Sequence, residues 1–482
     1  VYRRGLIGYL PANLVQGVVG LVSIMTFTRL LSPDDYGRYA LGFSAMAVAH
    51  NLVFTWLEAA MARFWPAEDA AGRAGPLFAT LYRAFARVAV GFVPVCVIGL
   101  WLLPAGRELK GVLAAGLAIV VVRSLVRLAQ ERRRAAGDVA AASTLDMVQT
   151  GGGFLIGATL AALGMGGAAP LLGLGIAALA CLPFALPGEL ARGRGGRADP
   201  ALLRTCAAYG LPVSLSLILS LGLASADRFL IGALLDPKSV GAYHAAYSLA
   251  NRTLDVIFLW LGGAGVPALV MALERGGQGA LKAQARTQAS AMLLLALPAT
   301  LGLMLVARPL AEVMVGEGLR TAAAAVTPLI AVGAFFSGVT TYYFHQAFTL
   351  GRRTRRLLWA MAIPAAANIG LNLFLLPRLG LVGAAWAAAI SYGLGALASA
   401  VLGRGAQPLP VPWATLGKGV AACALMVPAV LAVPAVGGLI ELTAKAGAGA
   451  LAYGTGVLLL DIAGARTRTL RLFKSFRLRL AA

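Results

Sequence analysis

An all-α integral membrane protein of about fourteen transmembrane helices is predicted by three features of this 482-residue chain. Apolar runs of 18 or more residues recur along its whole length, each able to cross a hydrocarbon core ~30 Å thick as a helix. Only 12% of the residues are charged against 59% hydrophobic, with mean hydropathy +0.81, about half the charge of a soluble domain. The connections between the runs alternate sharply in basic charge, as loops on two sides of a bilayer do.

The spans are expected near 8–29, 36–59, 84–104, 110–128, 140–162, 168–186, 206–226, 239–265, 287–307, 322–346, 357–376, 380–402, 417–437 and 444–462. The first run is too long for a signal-peptide core and lacks a small-x-small cleavage site, so it reads as a retained span. Most of the 41 lysines and arginines group on one side, in the N-terminus, the even-to-odd loops (Arg123, Arg127 and Arg132–Arg134 among them) and a basic tail from Arg466. Ten fall on the other: Arg29, Arg38, Arg107, Lys110, Arg228, Lys238, Arg308, Arg320, Arg378 and Lys445. By the positive-inside rule both termini are cytoplasmic. The net charge of +22 is spread over short loops, not gathered on one domain, which argues against nucleic-acid binding. The tail suits anionic headgroups instead. Cys96, Cys181, Cys206 and Cys423 lie in apolar segments without metal-ligand spacing and read as small core residues.

The chain contains an internal repeat. Leu30-Leu31-x-Pro33-x-x-x-Gly37-x-Tyr39 recurs as Leu234-Leu235-x-Pro237-x-x-x-Gly241-x-Tyr243, an offset of 204. Gly164-x-x-Gly167-Ala168-Ala169 recurs as Gly380-x-x-Gly383-Ala384-Ala385, an offset of 216. Six spans per copy is even, so the copies share one orientation, as in transporters whose substrate site lies between parallel repeats. The expected organisation is an N-lobe at 1–186, a cytoplasmic linker at 187–205, a C-lobe at 206–402, two further helices at 403–465 and the tail at 466–482. The two lobes of six helices enclose a central cavity in this reading. Ala and Gly dominate spans 5, 6 and 12, which favours close helix approach. Pro11 and Pro212 open the first helix of each lobe and are hinge candidates, or kinks that neighbouring helices repair.

One basic residue, Arg252, falls in neither loop nor tail. Tyr243, Tyr247 and Asn251 lie one turn apart, with His244, Ser248, Arg252 and Asp255 beside them, making a polar stripe on an apolar helix. Arg252 would sit ~20 Å into the bilayer, where a lone arginine costs at least ~2.5 kcal/mol and must face protein or a wet cavity. Its guanidinium suits a diphosphate, binding in a fork and never losing its proton; pairing with Asp255 is the alternative. The two tyrosines can stack on sugars or belong to an interfacial belt. On span 2, Ser44, Asn51, Thr55 and Glu58 share a face with His50 beside it, and on span 11 Asn368 and Asn372 lie one turn apart after Pro364. Asn51 and Asn372 therefore join Tyr243, Tyr247, Asn251, Arg252 and Asp255 as candidate substrate-binding residues. Glu58, Asp146 and Asp255 are the carboxylates at membrane level available for ion coupling, although Glu58 near a surface also suits an ordinary pair with Arg63. His50, His244 and His345 read as packing residues.

The segments TRLLSPDDYGRYALGF, DRFLIGALLDPKSVGAYHAAYSLANR, NIGLNLFLLPRLGLVGAA (368–385) and LEAAMARF (57–64) resemble the polysaccharide-transporter, or Wzx-type flippase, family. That family lies in the superfamily of multidrug extruders and lipid II flippases. The resemblance runs from about residue 5 to 402. It implies a two-lobed bundle with alternating access that moves an undecaprenyl-pyrophosphate-linked oligosaccharide from the cytoplasmic to the periplasmic leaflet of a bacterial inner membrane. It also implies a cationic cavity for the anionic head and work alongside glycosyltransferases and a polymerase of surface polysaccharide (O-antigen, capsule, exopolysaccharide or holdfast-like). The N-lobe positions equivalent to Asp227, Arg228 and Arg252 are Ser23, Ile24 and Val48, so cavity charge is expected mainly from the second lobe. No Walker A, HExxH or nucleophile-elbow sequence occurs, so no cofactor, metal or ATP is expected, and membrane potential or coupled H⁺ or Na⁺ drives export. The rival readings are a multidrug antiporter, which favours acidic cavity residues, and a membrane polymerase, ligase or glycosyltransferase, which needs a long outer loop.

Overall fold

The computed structural model describes residues 2–462, with side chains from position 15 onward except at 216, 218–221, 223, 224, 264 and 354. Every regular element among the described residues is helical. In order they are α1 (Tyr2–Leu30), α2 (Pro33–Val53), α3 (Thr55–Ala70), α4 (Ala74–Leu102), α5 (Arg107–Ala135), α6 (Val139–Met147), α7 (Gly153–Ala162), α8 (Ala169–Gly193) and α9 (Pro200–Leu234). There follow α10 (Pro237–Leu305), α11 (Ala307–Met314), α12 (Glu317–Val339), α13 (Gln346–Leu350), α14 (Thr354–Arg404), α15 (Trp413–Ala424), α16 (Met426–Leu431) and α17 (Gly438–Leu459). Most of the expected spans fall on one helix or on helices joined by a π turn, as at Val148–Gly152 and Thr340–Phe344, whereas 36–59 and 417–437 each run over two helices and the last residues of 417–437 are not helical. The basic tail lies outside the described residues, and Pro11 falls in α1 where side chains are not described.

Two helices are far longer than a bilayer needs. The 69 residues of α10 would extend ~100 Å at 1.5 Å per residue. It breaks at Gly277 (φ 64°, ψ −158°), and α14 breaks at Gly380 (φ 58°, ψ −143°), conformations that only glycine adopts at low cost. Gly164, the repeat partner of Gly380, also has positive φ, at 84°. The second glycine of each copy is a close-approach site: a β-carbon at Gly167 would lie 2.5 Å from the Asp35 carbonyl oxygen, and one at Gly383 2.4 Å from that of Leu375. The two copies thus share a positive-φ first glycine and a tightly packed second one, although the second glycines meet different neighbours, α2 for Gly167 and α14 itself for Gly383. Small residues act as expected on spans 5 and 6, where a β-carbon at Gly173 would lie 2.4 Å from the Gly153 carbonyl oxygen, drawing α8 against α7.

The chain forms two compact units, Val1–His244 and Ala245–Ala482. The first has a core of Phe54, Leu57, Leu77, Phe78, Leu81, Phe85, Leu128 and Leu171, drawn from the α2–α3 break and from α3, α4, α5 and α8. In the second, α12 packs along α14, and α17 packs on α11, α15 and α16.

Two expectations need correction. Span 2 is a bent pair: α2 and α3 meet at 48° around Phe54 (φ −116°, ψ −26°). Phe54 is fully buried against Phe85 and Phe92, and the Thr55 hydroxyl donates to the His50 carbonyl (3.4 Å) and the Asn51 side chain (3.3 Å). Local polar groups thus serve the backbone at the break. Arg123 and Arg127 do not lie in a loop. The 29-residue α5 carries both, Arg123 partly buried and Arg127 exposed, while Ser124, Val126 and Leu128 on its other faces are fully buried and hold the helix against its neighbours.

Candidate functional site

A cavity of about 300 Å³ opens in the first unit between α2, α3, α5 and α9. Phe43, Met46, Ala47, Val120 and Leu217 form its apolar wall, and His50, Asn51, Thr55, Glu58, Arg123 and Arg127 its polar one. The helix break places the last two turns of α2 and the first of α3 on one wall. The i, i+4 spacing of Arg123 and Arg127 keeps both on the facing side of α5.

The acid of the site lies beside a histidine, and the two arginines lie beside no carboxylate among the described residues. Glu58 is 7% exposed, and its Oε2 lies 3.4 Å from His50 Nε2. His50 Nδ1 is 2.7 Å from the Ser124 hydroxyl. Among the described residues neither Arg123 nor Arg127 has a carboxylate oxygen within 4.0 Å. The polar contact of Arg123 is from Nη1 to Met46 Sδ at 3.5 Å. Two guanidiniums against one carboxylate leave the cavity net positive, and an unpaired cation in a low-dielectric wall is costly until an anion arrives. This charge comes from the first repeat, where the sequence reading expected little. The signal that locates it is the four-residue spacing of Arg123 and Arg127 within a helix where Ser124 and Val126 between them are buried.

The other candidates divide. Asn51 lines the cavity, its amide donating to the Ala47 carbonyl (2.9 Å). Tyr243 belongs to the first unit, is fully buried, and its hydroxyl donates to Asp227 Oδ2 at 2.5 Å; in this conformation it is a packing residue. Asp227 and Arg228 are themselves buried in α9, where the sequence suggested an outer loop. Tyr247, Asn251, Arg252 and Asp255 belong to the second unit. Tyr247 Oη lies 3.4 Å from Tyr392 Oη, and the Asn251 amide returns to the Tyr247 carbonyl (3.0 Å). Arg252 and Asp255 are both exposed, and no ion pair within 4.0 Å joins them among the described residues. Asn372 is fully buried and donates to the Asn368 carbonyl (2.9 Å). Asp146 accepts from Gln130 (3.2 Å) and from Arg134. Pro212 lies within α9, on an exposed face. Among the described residues no three His, Cys, Asp or Glu side chains converge as metal ligands do.

A family profile described as "Polysaccharide biosynthesis protein" matches residues 26–324. No curated protein matches the chain. Among solved structures, the chain is similar to a lipid II flippase, MurJ, in an inward closed conformation, with a TM-score of 0.77 at 13% identity over 94% of this chain and 98% of that one. It is also similar to a multidrug resistance MATE transporter of the MOP superfamily. The inward-facing form gives 0.64 at 16% identity over 81% and 94% of the two chains, and the outward-facing form 0.53 at 14% over 83% and 92%. The fold is similar to that of the lipid II flippase and of the MATE transporter.

Proposed function

The chain belongs to the polysaccharide biosynthesis protein family, and from that membership we propose that it is a flippase for a lipid-linked oligosaccharide. It carries the lipid diphosphate and its sugars from the cytoplasmic to the periplasmic leaflet of a bacterial inner membrane, with both termini cytoplasmic. The carrying observation is the pair Arg123 and Arg127, facing a cavity with no carboxylate within 4.0 Å of either among the described residues. Guanidinium forks match phosphate oxygens, and the net positive cavity favours an anionic head over the cationic drugs of an extruder. Asn51, Thr55 and His50 add hydrogen-bonding groups at the same wall. Tyr247, Asn251 and Arg252, of the second unit, stay candidate substrate-binding residues by their polar stripe alone. An undecaprenyl diphosphate leaving an inside-negative cell gains ~2.3 kcal/mol per charge per 100 mV, so membrane potential, or a coupled cation, supplies the drive.

The test replaces Arg123 and Arg127 together with Ala in a strain lacking the native gene. Surface polysaccharide should fall at least tenfold while the protein stays in the membrane at its normal level. Unimpaired polysaccharide at that level removes this cavity from transport.

A further inference from the structure

The carboxylate of the cavity has one oxygen to spare. Glu58 stands in the first turn of α3 and is only 7% exposed. Its Oε2 faces His50 Nε2 at 3.4 Å, while its Oε1 is buried and accepts no hydrogen bond among the described residues. The donors around it are committed elsewhere. Ser124 is fully buried, and its hydroxyl lies 2.7 Å from His50 Nδ1. With that hydroxyl as donor, the imidazole carries its proton on Nε2 and turns it toward Oε2. The Thr55 hydroxyl donates to the His50 carbonyl and to Asn51 Oδ1, and the Asn51 amide donates to the Ala47 carbonyl. Each of these donors is directed at another acceptor.

A buried carboxylate oxygen without a donor is costly, and a ligand that brings one removes the cost. The torsion that turns a carboxylate is broad and two-fold, so either oxygen can be presented to the cavity that Glu58 lines. A diphosphate cannot supply the donor. Its oxygens accept hydrogen bonds, and its charge is drawn to Arg123 and Arg127 and repelled by Glu58. A sugar can supply it, through any hydroxyl or through the N–H of an acetamido group. The walls are sorted accordingly: the two arginines on α5, and Glu58 with Asn51 and Thr55 around the α2–α3 break. The volume, about 300 Å³, is at the small end of small-molecule sites. That suits a diphosphate and one neighbouring sugar, not a whole oligosaccharide.

We propose that Glu58 recognises the sugar joined to the diphosphate, its carboxylate accepting a hydrogen bond from a hydroxyl or amide N–H of that sugar while Arg123 and Arg127 hold the phosphates. The proposal rests on the flippase reading. The opposite signs of the two walls orient the head, phosphates toward α5 and sugar toward the α2–α3 break. The same carboxylate counts against a lipid diphosphate that carries no sugar, which brings negative charge to Glu58 and no donor for it. A site built to bond a hydroxyl rejects the analogue that lacks it, because its own polar group is then left unpaired. Glu58 thereby separates loaded carrier lipid from empty carrier lipid.

The test titrates purified full-length protein with three lipids: undecaprenyl diphosphate, and the same lipid carrying one glucose or one N-acetylglucosamine. The native protein should bind at least one sugar-bearing lipid about tenfold more tightly than the bare one. In Glu58→Met this preference should fall to within about twofold, and the bare lipid should bind more tightly because the repelling charge is gone. Glu58→Gln keeps an acceptor oxygen and should retain a preference of about threefold or more. A preference unchanged in Glu58→Met, or lost as fully in Glu58→Gln, overturns the proposal. Equal weakening of all three lipids by Glu58→Met also overturns it, since a purely structural role gives that pattern. Bare lipid bound through Arg123 and Arg127, with no sugar preference that depends on Glu58, overturns this proposal and leaves the flippase reading standing. No binding of any of the three lipids overturns both.

Discussion

Arg132 of α5 and Glu189 of α8 are joined by a buried ion pair, with Nε of the guanidinium 3.0 and 3.2 Å from the two carboxylate oxygens and side-chain exposures of 8% and 0%. Nine residues earlier on the same helix, Arg123 has no such partner among the described residues. One helix thus carries one arginine neutralised by the fold and one with no carboxylate oxygen within 4.0 Å among the described residues. Glu189→Gln strands the Arg132 charge in the interior and should cost about 3–5 kcal/mol, read as a lower thermal midpoint in detergent. The double change Arg132→Met with Glu189→Leu should recover most of it. A midpoint unchanged by Glu189→Gln would mean the pair is not desolvated.

Arg123→Gln should behave oppositely. Removing a cation that no carboxylate neutralises within 4.0 Å relieves a desolvation cost, so the thermal midpoint should hold or rise while transport falls. A midpoint loss matching that of Glu189→Gln would make Arg123 a structural partner instead.

Tyr243→Phe removes the hydroxyl donated to buried Asp227 and should cost about 1–3 kcal/mol. Asp255→Asn should stay within about 0.5 kcal/mol, as expected for an exposed carboxylate outside any ion pair among the described residues. Thermal midpoints of the two variants, measured side by side, check both. A large loss at Asp255 would establish a structural pair with Arg252.

Outside the membrane-spanning segments, two glutamates brace the junction of α11 with α17. The Gly438 amide donates to Glu312 Oε2 at 3.0 Å, and this bond, helped by Arg308, holds the Glu312 carboxyl below its ordinary value of 4.5. Glu441 is lowered by its bond with Lys445 and by the Gly437 amide (2.8 Å). A carboxyl depressed in the fold contributes stability that is fully present above the ordinary value and is lost as pH falls through the depressed one. The thermal midpoint of the protein should therefore fall below pH 4.5, and the fall should shrink in Glu312→Gln with Glu441→Gln. Equal acid sensitivity of this double variant would place the loss elsewhere.

The spans were legible because apolar length is a local property, and the repeat because its glycines and prolines recur at fixed offsets. Three features were not legible, each for a reason of packing. Arg123 and Arg127 read as loop because hydropathy ends where arginines cluster, whereas α5 continues on the strength of its buried opposite face. Glu58 read as a surface residue because the bend at Phe54, which turns it toward His50, depends on burial of Phe54 against α4. The offset of 204 showed that Pro33–Gly37 and Pro237–Gly241 are alike. It carried no sign that the two segments touch, where a β-carbon at Gly37 would lie 1.6 Å from the Pro237 carbonyl oxygen: one local pattern serves equally for copies that meet and copies that never do.

The segment between α8 and α9 has a consequence of its own. A β-carbon at Gly196 would lie 2.3 Å from the Gly75 carbonyl oxygen, and the Asp199 amide donates to the Thr80 hydroxyl at 2.9 Å. The crossover is stitched to the start of α4 and leaves no slack before α9 begins at Pro200. It behaves as a splint, not a leash: lengthening it with flexible residues loosens nothing while those stitches hold, whereas a bulky residue at position 196 lifts the start of α9 off α4 without altering either helix.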